Sequence, residues 1–397
     1  MKPNPCIENI SPGYLFPEIA KRRTAYQQAH PDVRVISLGV GNTTEPIFPA
    51  AAAGLASEAK ALSTPDGYSG YQDEGREDLR QRISEVFYGG KFHIDEVFIS
   101  DGAKCDVGRL QLLFGRGVPV AVQDPAYPVY VDGSVLIGAA GAMDGTGYAG
   151  ITYLPCTPDN AFFPDLSLVQ PGSLLYICSP NNPTGYVMTR AQLAELVAFA
   201  NKSGSVILFD AAYSEFIRDA DLPKTIFEVD GAETCAIEIN SFSKPAGFTG
   251  VRLGWTVVPF GLAYEGGGSI NKAWSRVMAT IFNGASNIAQ AGGLAALSEA
   301  GLKEIRALTD YYLENARRIR ETLGARGIAT VGGDNSPYIW AQFPGRTSWD
   351  VFDELLNTYH IVTTPGSGFG PAGESFVRFS AFGHHKDVEE ACARLVG

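Results

Sequence analysis

What is scarce in this chain narrows its function before any motif is read. No stretch reaches the roughly 18 consecutive apolar residues that a membrane-spanning helix requires. The opening, MKPNPCIENISPGYLFPEI, has no basic start leading into a long apolar run, so no secretory signal is expected. There is no HExxH, and His384 and His385 simply adjoin one another, so no metal site is expected. The six cysteines, Cys6, Cys105, Cys156, Cys178, Cys235 and Cys392, form no CxxC, and several lie in apolar runs such as LLYICS. They read as buried free thiols of a reducing compartment, and the chain as a soluble cytoplasmic protein. Basic charge is short as well: 31 Lys and Arg face 43 Asp and Glu, for a net −12. An acidic surface repels phosphate backbones, which argues against nucleic acid as the main partner. Repeats, charge blocks and low-complexity linkers are missing too.

What is present suits a globular enzyme-sized chain. Its 397 residues are 45% hydrophobic and 19% charged, enough for one large domain and a smaller one. From about residue 95 to 260, short apolar runs alternate with helical patterns. VFIS (97–100), VPVAVQD (118–124), SLLYICS (173–179), SVILFD (205–210) and AIEINSFS (236–243) read as strands buried on both faces. TRAQLAELVAFANKSG reads as a helix capped by Thr189 and Gln192 and closed by Gly204. Such alternation predicts an α/β fold, a mainly parallel sheet flanked by helices. After residue 300 a long charged helix, the strands PYIWAQF and FVRFSAF, and a helix from Ser348 to His360 predict a separate α+β unit. The first forty residues read as irregular apart from one strand, VRVISLGVG. The expected division is 1–45 as a segment packing with the small domain, 46–290 as the large domain and 291–397 as the small one.

Polar residues cluster where those strands end. Asp124 and Tyr127, Asn181 and Asn182, Asp210 and Tyr213, and Lys244 each follow one of them. In open parallel sheets the ligand crevice lies outside the carboxyl ends of the strands. Lys244, in NSFSKPAGFTGVRLGW, has serines and glycines around it rather than acids. Alone it reads equally as a surface lysine or as a desolvated amine able to attack an aldehyde. Ser241, Ser243 and Arg252 can bind an anion there, or form a structural loop. SDGAK (100–104) opens a helix, KCDVGRLQLLF, straight after a strand. It offers free amides to a phosphate, or simple capping by Ser100 or Asp101. SPNNPTG (179–185) is a turn on any reading, and Tyr127 and Tyr213 alone can be core aromatics.

Taken together, SDGAK, DxxY, NNPTG and SFSKxxGxxGxR, in one chain with these spacings, resemble the class I/II aminotransferases of fold type I that use pyridoxal 5′-phosphate. The stretches GYLFPEIAKRR, ISLGVGNTTEPI, GYSGY, VQDPAYPVYVD, FNGASN, TSWDVFDELL and TTPGSGFGP extend the resemblance over nearly the whole chain, toward members acting on diaminopimelate. The resemblance implies that Lys244 carries the cofactor and shuttles the proton, and that Asp210 pairs with the pyridine nitrogen. It implies that Tyr213 and Asn182 bond the ring hydroxyl and that Tyr127 stacks on the ring. The phosphate falls to Ala103, Lys104, Ser241, Ser243 and Arg252, with Tyr71 reaching in from a second subunit. Substrate binding falls to Tyr14, Gly41, Glu74, Lys104, Tyr127, Asn182, Asn283 and Arg378. Of these, Arg378 clamps the α-carboxylate, and Glu74 and Asn283 come from the partner of a homodimer. The implied small molecules are L-glutamate, 2-oxoglutarate, tetrahydrodipicolinate and LL-2,6-diaminopimelate. Pro245 departs from many relatives, and YQDEGREDLR is one residue shorter than the common pattern.

Other readings remain beside this one. Another aminotransferase or lyase with the same cofactor would share the motifs and differ only in the distal site. GVGNTT begins like a dinucleotide-binding GxGxxG but lacks the third glycine, and EPIFP follows where a helix should start. A non-enzymatic two-lobed binder is the third possibility.

Overall fold

The computed structural model describes residues 1–10, 15–145 and 147–396. Its central sheet has seven strands: β1 (Val97–Ser100), β2 (Val120–Asp124), β3 (Ile151–Pro155), β4 (Leu174–Cys178), β5 (Val206–Asp210), β6 (Ala236–Ser241) and β7 (Gly254–Val257). The spatial order is β1-β7-β6-β5-β4-β2-β3. Strand β7 runs antiparallel to both neighbours, and every other pairing in this sheet is parallel. Strands buried on both faces need apolar side chains pointing both ways, and they have them. Ile99, Leu175, Ile177, Ile207 and Phe209 enter one core with Leu79, Ile83, Leu193 and Leu196. Phe98, Leu174, Tyr176, Leu208 and Ile237 enter the other with Val107, Leu110, Trp274 and Met278.

The second unit is an antiparallel sheet of β8 (Thr330–Gly332), β9 (Tyr338–Gln342), β10 (Thr364–Pro365) and β11 (Phe376–Ser380), in the order β8-β9-β11-β10. The helices Glu299–Ala325, Ser348–Tyr359 and His385–Val396 supply Ile319, Leu323, Val351, Leu355 and Val388 to its core. Ile36 and Leu38 share that core, and Ile36–Ser37 pairs in parallel with Ile361–Val362.

The five strands read from the sequence all form, each trimmed by up to two residues at an end. The helix Arg190–Ser203 carries the expected reciprocal cap between Thr189 and Gln192, and Gly204 ends it at φ 67°. Other expectations need correction. The first forty residues are not irregular: Leu15–Ala29 is a helix, held by the burial of Leu15, Ile19 and Tyr26. Its apolar positions are too sparse to announce it. VRVISLGVG shortens to Ile36–Ser37. The helix after SDGAK ends at Leu110 and continues as a tight turn over Gln111–Leu113. The thiols are all free, but only Cys156, Cys178 and Cys235 are fully buried.

Strand β7 decides where the crevice lies. Gly254 stands in register with Ser241 on one side and Ser100 on the other, so the ends of β1 and β6 meet at its start. A Cβ at Gly254 would lie 2.8 Å from the Asn240 carbonyl oxygen and 2.9 Å from the Ala103 nitrogen. The missing side chain is what lets the helix Ala103–Leu110 begin against the sheet. Farther along, Thr256 Oγ1 donates to the buried carboxylate of Asp106 at 2.6 Å, tying that helix to β7. Gly254→Ala must therefore displace backbone, not a flexible side-chain end. Its expected cost is roughly 1–3 kcal/mol, read as a lower urea midpoint than the parent chain.

Candidate active site

A cavity of about 320 Å³ opens at the carboxyl ends of β4, β5 and β6. Lys104, Tyr127, Asn182, Asp210, Tyr213, Ser241, Ser243, Lys244, Arg252 and Arg378 all line it, with Ala103 and the backbone of Gly41. The structure thus gathers these expected residues from seven separate stretches of chain.

Lys244 follows β6 by three residues. Its Nζ donates to the Gly41 carbonyl oxygen and lies 5.3 Å from the centre of the Phe382 ring. No carboxylate pairs with it among the described residues. Burial, followed by the nearby Arg378 and Arg252 guanidinium groups, brings its pKa down from 10.5 to about 7. A substantial fraction of the amine is therefore uncharged at neutral pH, the form in which it is a nucleophile and a base.

Asp210 ends β5 and is 7% exposed. Its Oδ2 accepts from the Tyr130 hydroxyl at 2.7 Å, and its Oδ1 from the Ala212 amide at 3.0 Å. Burial raises its pKa, and the two donors offset that rise only in part. No cation faces this carboxylate among the described residues, so a protonated ring nitrogen would find an anion with its orientation already set. Tyr213 reaches the same space, its hydroxyl 2.9 Å from that of Tyr338. Tyr127 meets Tyr130 edge to face, with ring centres 5.9 Å apart.

Two anion-binding corners flank this middle. At one, the helix Ala103–Leu110 starts from Gly102, which caps it with no side chain and sits at φ 113°, backbone that glycine tolerates. Neither Ser100 nor Asp101 caps the helix; Asp101 is bound by Arg109 instead. Arg252 lies against Gly102, where a Cβ would come 2.4 Å from its Nη2. Its Nη1 donates to Ser243 Oγ at 3.3 Å. Open amides, two serines and a guanidinium without an acid make a phosphate-sized donor set. At the other corner Arg378 is 1% exposed. It donates to Asn182 Oδ1 at 2.7 Å, to the Gly39 carbonyl oxygen at 2.5 Å and to Thr364 Oγ1 at 3.3 Å, while its Nε has no partner. The rings of Tyr338 and Phe369 lie 4.4 and 4.9 Å from the guanidinium carbon. A buried guanidinium bonded only to neutral oxygens is incomplete without an anion.

The remaining expected residues lie elsewhere in the single chain. Tyr71 is 86% exposed. Glu74 accepts from Ser275 Oγ at 2.5 Å and sits 3.5 Å from Arg80, in a separate surface groove. Asn283 occupies a left-handed turn at φ 60°, beside Gly284, which packs on Gln72. Tyr14 falls outside the described residues. Conversely, sequence reasoning missed Tyr130, Cys178, Thr249 and Tyr338, all at the cavity. Tyr130 had one available signal, standing three residues after Tyr127 at the start of a helix. Tyr338 had none, since it reads as an ordinary strand residue of the other unit.

The family model described as aminotransferase class I and II matches residues 33–395. The chloroplastic LL-diaminopimelate aminotransferase of Arabidopsis thaliana is 52% identical over 396 residues, covering 99% of this chain and 86% of the relative. The LL-diaminopimelate aminotransferase of Protochlamydia amoebophila (strain UWE25) is 48% identical over 398 residues, covering 100% and 97%. Among solved structures, the L,L-diaminopimelate aminotransferase from Chlamydomonas reinhardtii superposes with a TM-score of 0.96 at 54% identity, covering 100% of this chain and 98% of the other.

The surroundings of Lys244 generate a test that needs no relative. In the unfolded chain the amine keeps its proton to 10.5, and in the folded chain only to about 7. Between those values the unfolded state binds the extra proton, so this group makes stability rise with pH across that window. Below about pH 7 the folded amine is charged and the destabilisation is constant. The cofactor-free Lys244→Met chain is expected to melt a few degrees above the parent at pH 7, with the gap closing toward pH 10. Thermal midpoints across pH check this, and a gap that ignores pH would count against it.

Proposed function

The chain belongs to the aminotransferase class I and II family, and from that premise we propose that it exchanges an amino group between L-glutamate and a diaminopimelate skeleton. The reaction is tetrahydrodipicolinate plus L-glutamate giving LL-2,6-diaminopimelate plus 2-oxoglutarate, reversible and ping-pong, in the supply of lysine and peptidoglycan precursors. One observation carries the chemistry: a lysine with a lowered pKa and, among the described residues, an aspartate without a cation and two arginines without an acid share one cavity. The choice of substrate rests on the names of relatives matched along almost the whole chain at 48–54% identity.

Enzymes of this family use pyridoxal 5′-phosphate, and the residues present fit it. The uncapped helix start and Arg252 suit the phosphate, the lone carboxylate of Asp210 suits a ring N–H, and the unpaired Nε of Arg378 awaits an acceptor. Bound there, the cofactor supplies an aldehyde conjugated to an electron-withdrawing ring. Ala103, Lys104, Ser241, Ser243 and Arg252 hold its phosphate. Asp210 would keep the ring nitrogen protonated, Tyr127 would offer its ring to the cofactor's, and Tyr213 and Asn182 would donate to its hydroxyl. Lys244 takes up the substrate's α-proton at Nζ and gives it back. Arg378 forks onto the α-carboxylate, with Asn182 fixing one arm of the fork. A homodimer in the cytoplasm completes the reading. A second copy of the chain presents Tyr71, Glu74 and Asn283, which with Tyr14, Gly41 and Lys104 recognise the far amine and carboxylate.

Three measurements test this. The protein loaded with pyridoxal 5′-phosphate is expected to be yellow, and borohydride should bleach the band and leave a pyridoxyl label on Lys244. Incubation of LL-2,6-diaminopimelate with 2-oxoglutarate should form glutamate far faster than aspartate or aromatic amino acids do. A labelled but indifferent or differently selective enzyme would instead mark another aminotransferase or a lyase of the same family. Finally, Arg378→Lys is expected to raise KM for glutamate and for diaminopimelate alike, by roughly 10-fold or more, since each loses one arm of the same fork.

A further inference from the structure

Tyr338 stands at a junction that the proposed reaction leaves unused. It belongs to β9 of the second unit, yet it lines the cavity of the first and is 1% exposed. Its hydroxyl lies 2.9 Å from that of Tyr213, a residue 125 positions away. The two rings meet edge to face at 5.1 Å. The Tyr338 hydroxyl also fills the space beside Gly41, where a Cβ would lie 2.6 Å from it.

The two phenols together carry two hydroxyl hydrogens and share one hydrogen bond. Burial raises the pKa of each, so both stay protonated at neutral pH. Among the described residues neither hydroxyl has any other polar partner. Gly41 closes in on the Tyr338 hydroxyl, the Tyr338 ring covers Arg378, and among the described residues the hydroxyl's one hydrogen-bond partner is Tyr213. By distance either oxygen could be the donor; since a buried hydroxyl that donates to nothing is disfavoured, the arrangement that strands no hydrogen has Tyr338 donating and Tyr213 accepting. The hydrogen of Tyr213 is then the one left over, and the cavity is where it can go.

We propose that Tyr338 is a positioning residue that commits the Tyr213 hydroxyl to act as a donor into the cavity, toward the ring hydroxyl of the bound cofactor. The inference rests on the cofactor reading above. Its consequence is electrostatic as well as geometric. A phenol that accepts one hydrogen bond donates a stronger one, and a stronger donor stabilises the cofactor's ionised ring oxygen. Because Tyr338 comes from the second unit, the electronic state of the cofactor depends on how the two units are seated against each other.

The test is a double-mutant cycle on protein loaded with pyridoxal 5′-phosphate, reading the pKa seen in the pH dependence of the bound cofactor's absorption. Tyr338→Phe keeps the ring over Arg378 and removes only the hydroxyl. It is expected to raise that pKa by roughly half a unit to one unit, the size of one ordinary hydrogen bond. Tyr213→Phe should raise it further, and Tyr338→Phe added to Tyr213→Phe should then change nothing. Gly41→Ala, which presses on the same hydroxyl from the opposite side, should move the pKa in the same direction. If Tyr338→Phe leaves the pKa where it was, or shifts it equally with and without the Tyr213 hydroxyl, the inference fails while the cofactor reading stands. If no cofactor band forms in the parent protein, the cofactor reading itself fails.

Discussion

The site is organised by an imbalance of buried charge. Arg378 is buried, Lys244 and Arg252 border the same cavity, and no carboxylate of the described chain pairs with any of them. Buried charges are costly unless compensated, and each guanidinium here is satisfied only by neutral oxygens. The chain can relieve part of this by leaving Lys244 uncharged, which is what its depressed pKa expresses. The rest is left for anions to supply. The sole buried acid of the cavity, Asp210, is turned toward Tyr130 and Ala212 and away from the arginines. Its negative charge is thereby kept for a different visitor. The fold places positive and negative charge around one cavity without pairing them among the described residues.

Small residues hold the separation open. Gly254 allows the helix Ala103–Leu110 to start flush with β7, and Gly102 leaves the width that the Arg252 guanidinium needs. Arg252 itself pays with a left-handed backbone, φ 68°, unusual for a residue with a side chain. Gly41 makes room for the Tyr338 hydroxyl while its carbonyl oxygen receives Lys244.

How much of this could be read from the chain depended on distance along it. The strands with doubly buried apolar runs, and the helix Arg190–Ser203 with its cap, were legible because their signals are local. Lys244, Asp210 and Arg252 were legible because parallel strands end at one edge and motifs fix the spacing. Strand β7 was not, since GWTV is short and nothing local says that it runs backwards. Leu15–Ala29 was hidden by a weak apolar pattern that only tertiary packing rescues. Tyr338 was invisible, and Tyr130 nearly so, for a deeper reason. Each is an unremarkable aromatic until a partner arrives beside it, the Asp210 carboxylate from 80 residues away for Tyr130 and the Tyr213 hydroxyl from 125 away for Tyr338.

The bond from Arg378 to the Gly39 carbonyl oxygen spans 339 residues, and that from Lys244 to Gly41 spans 203. Arg378 comes from β11, while the Gly39 carbonyl oxygen that anchors it was laid down among the first forty residues. During synthesis on the ribosome, Lys244 therefore emerges well before Arg378. A nascent chain cut short of β11 would lack the buried guanidinium that lines the cavity beside Lys244.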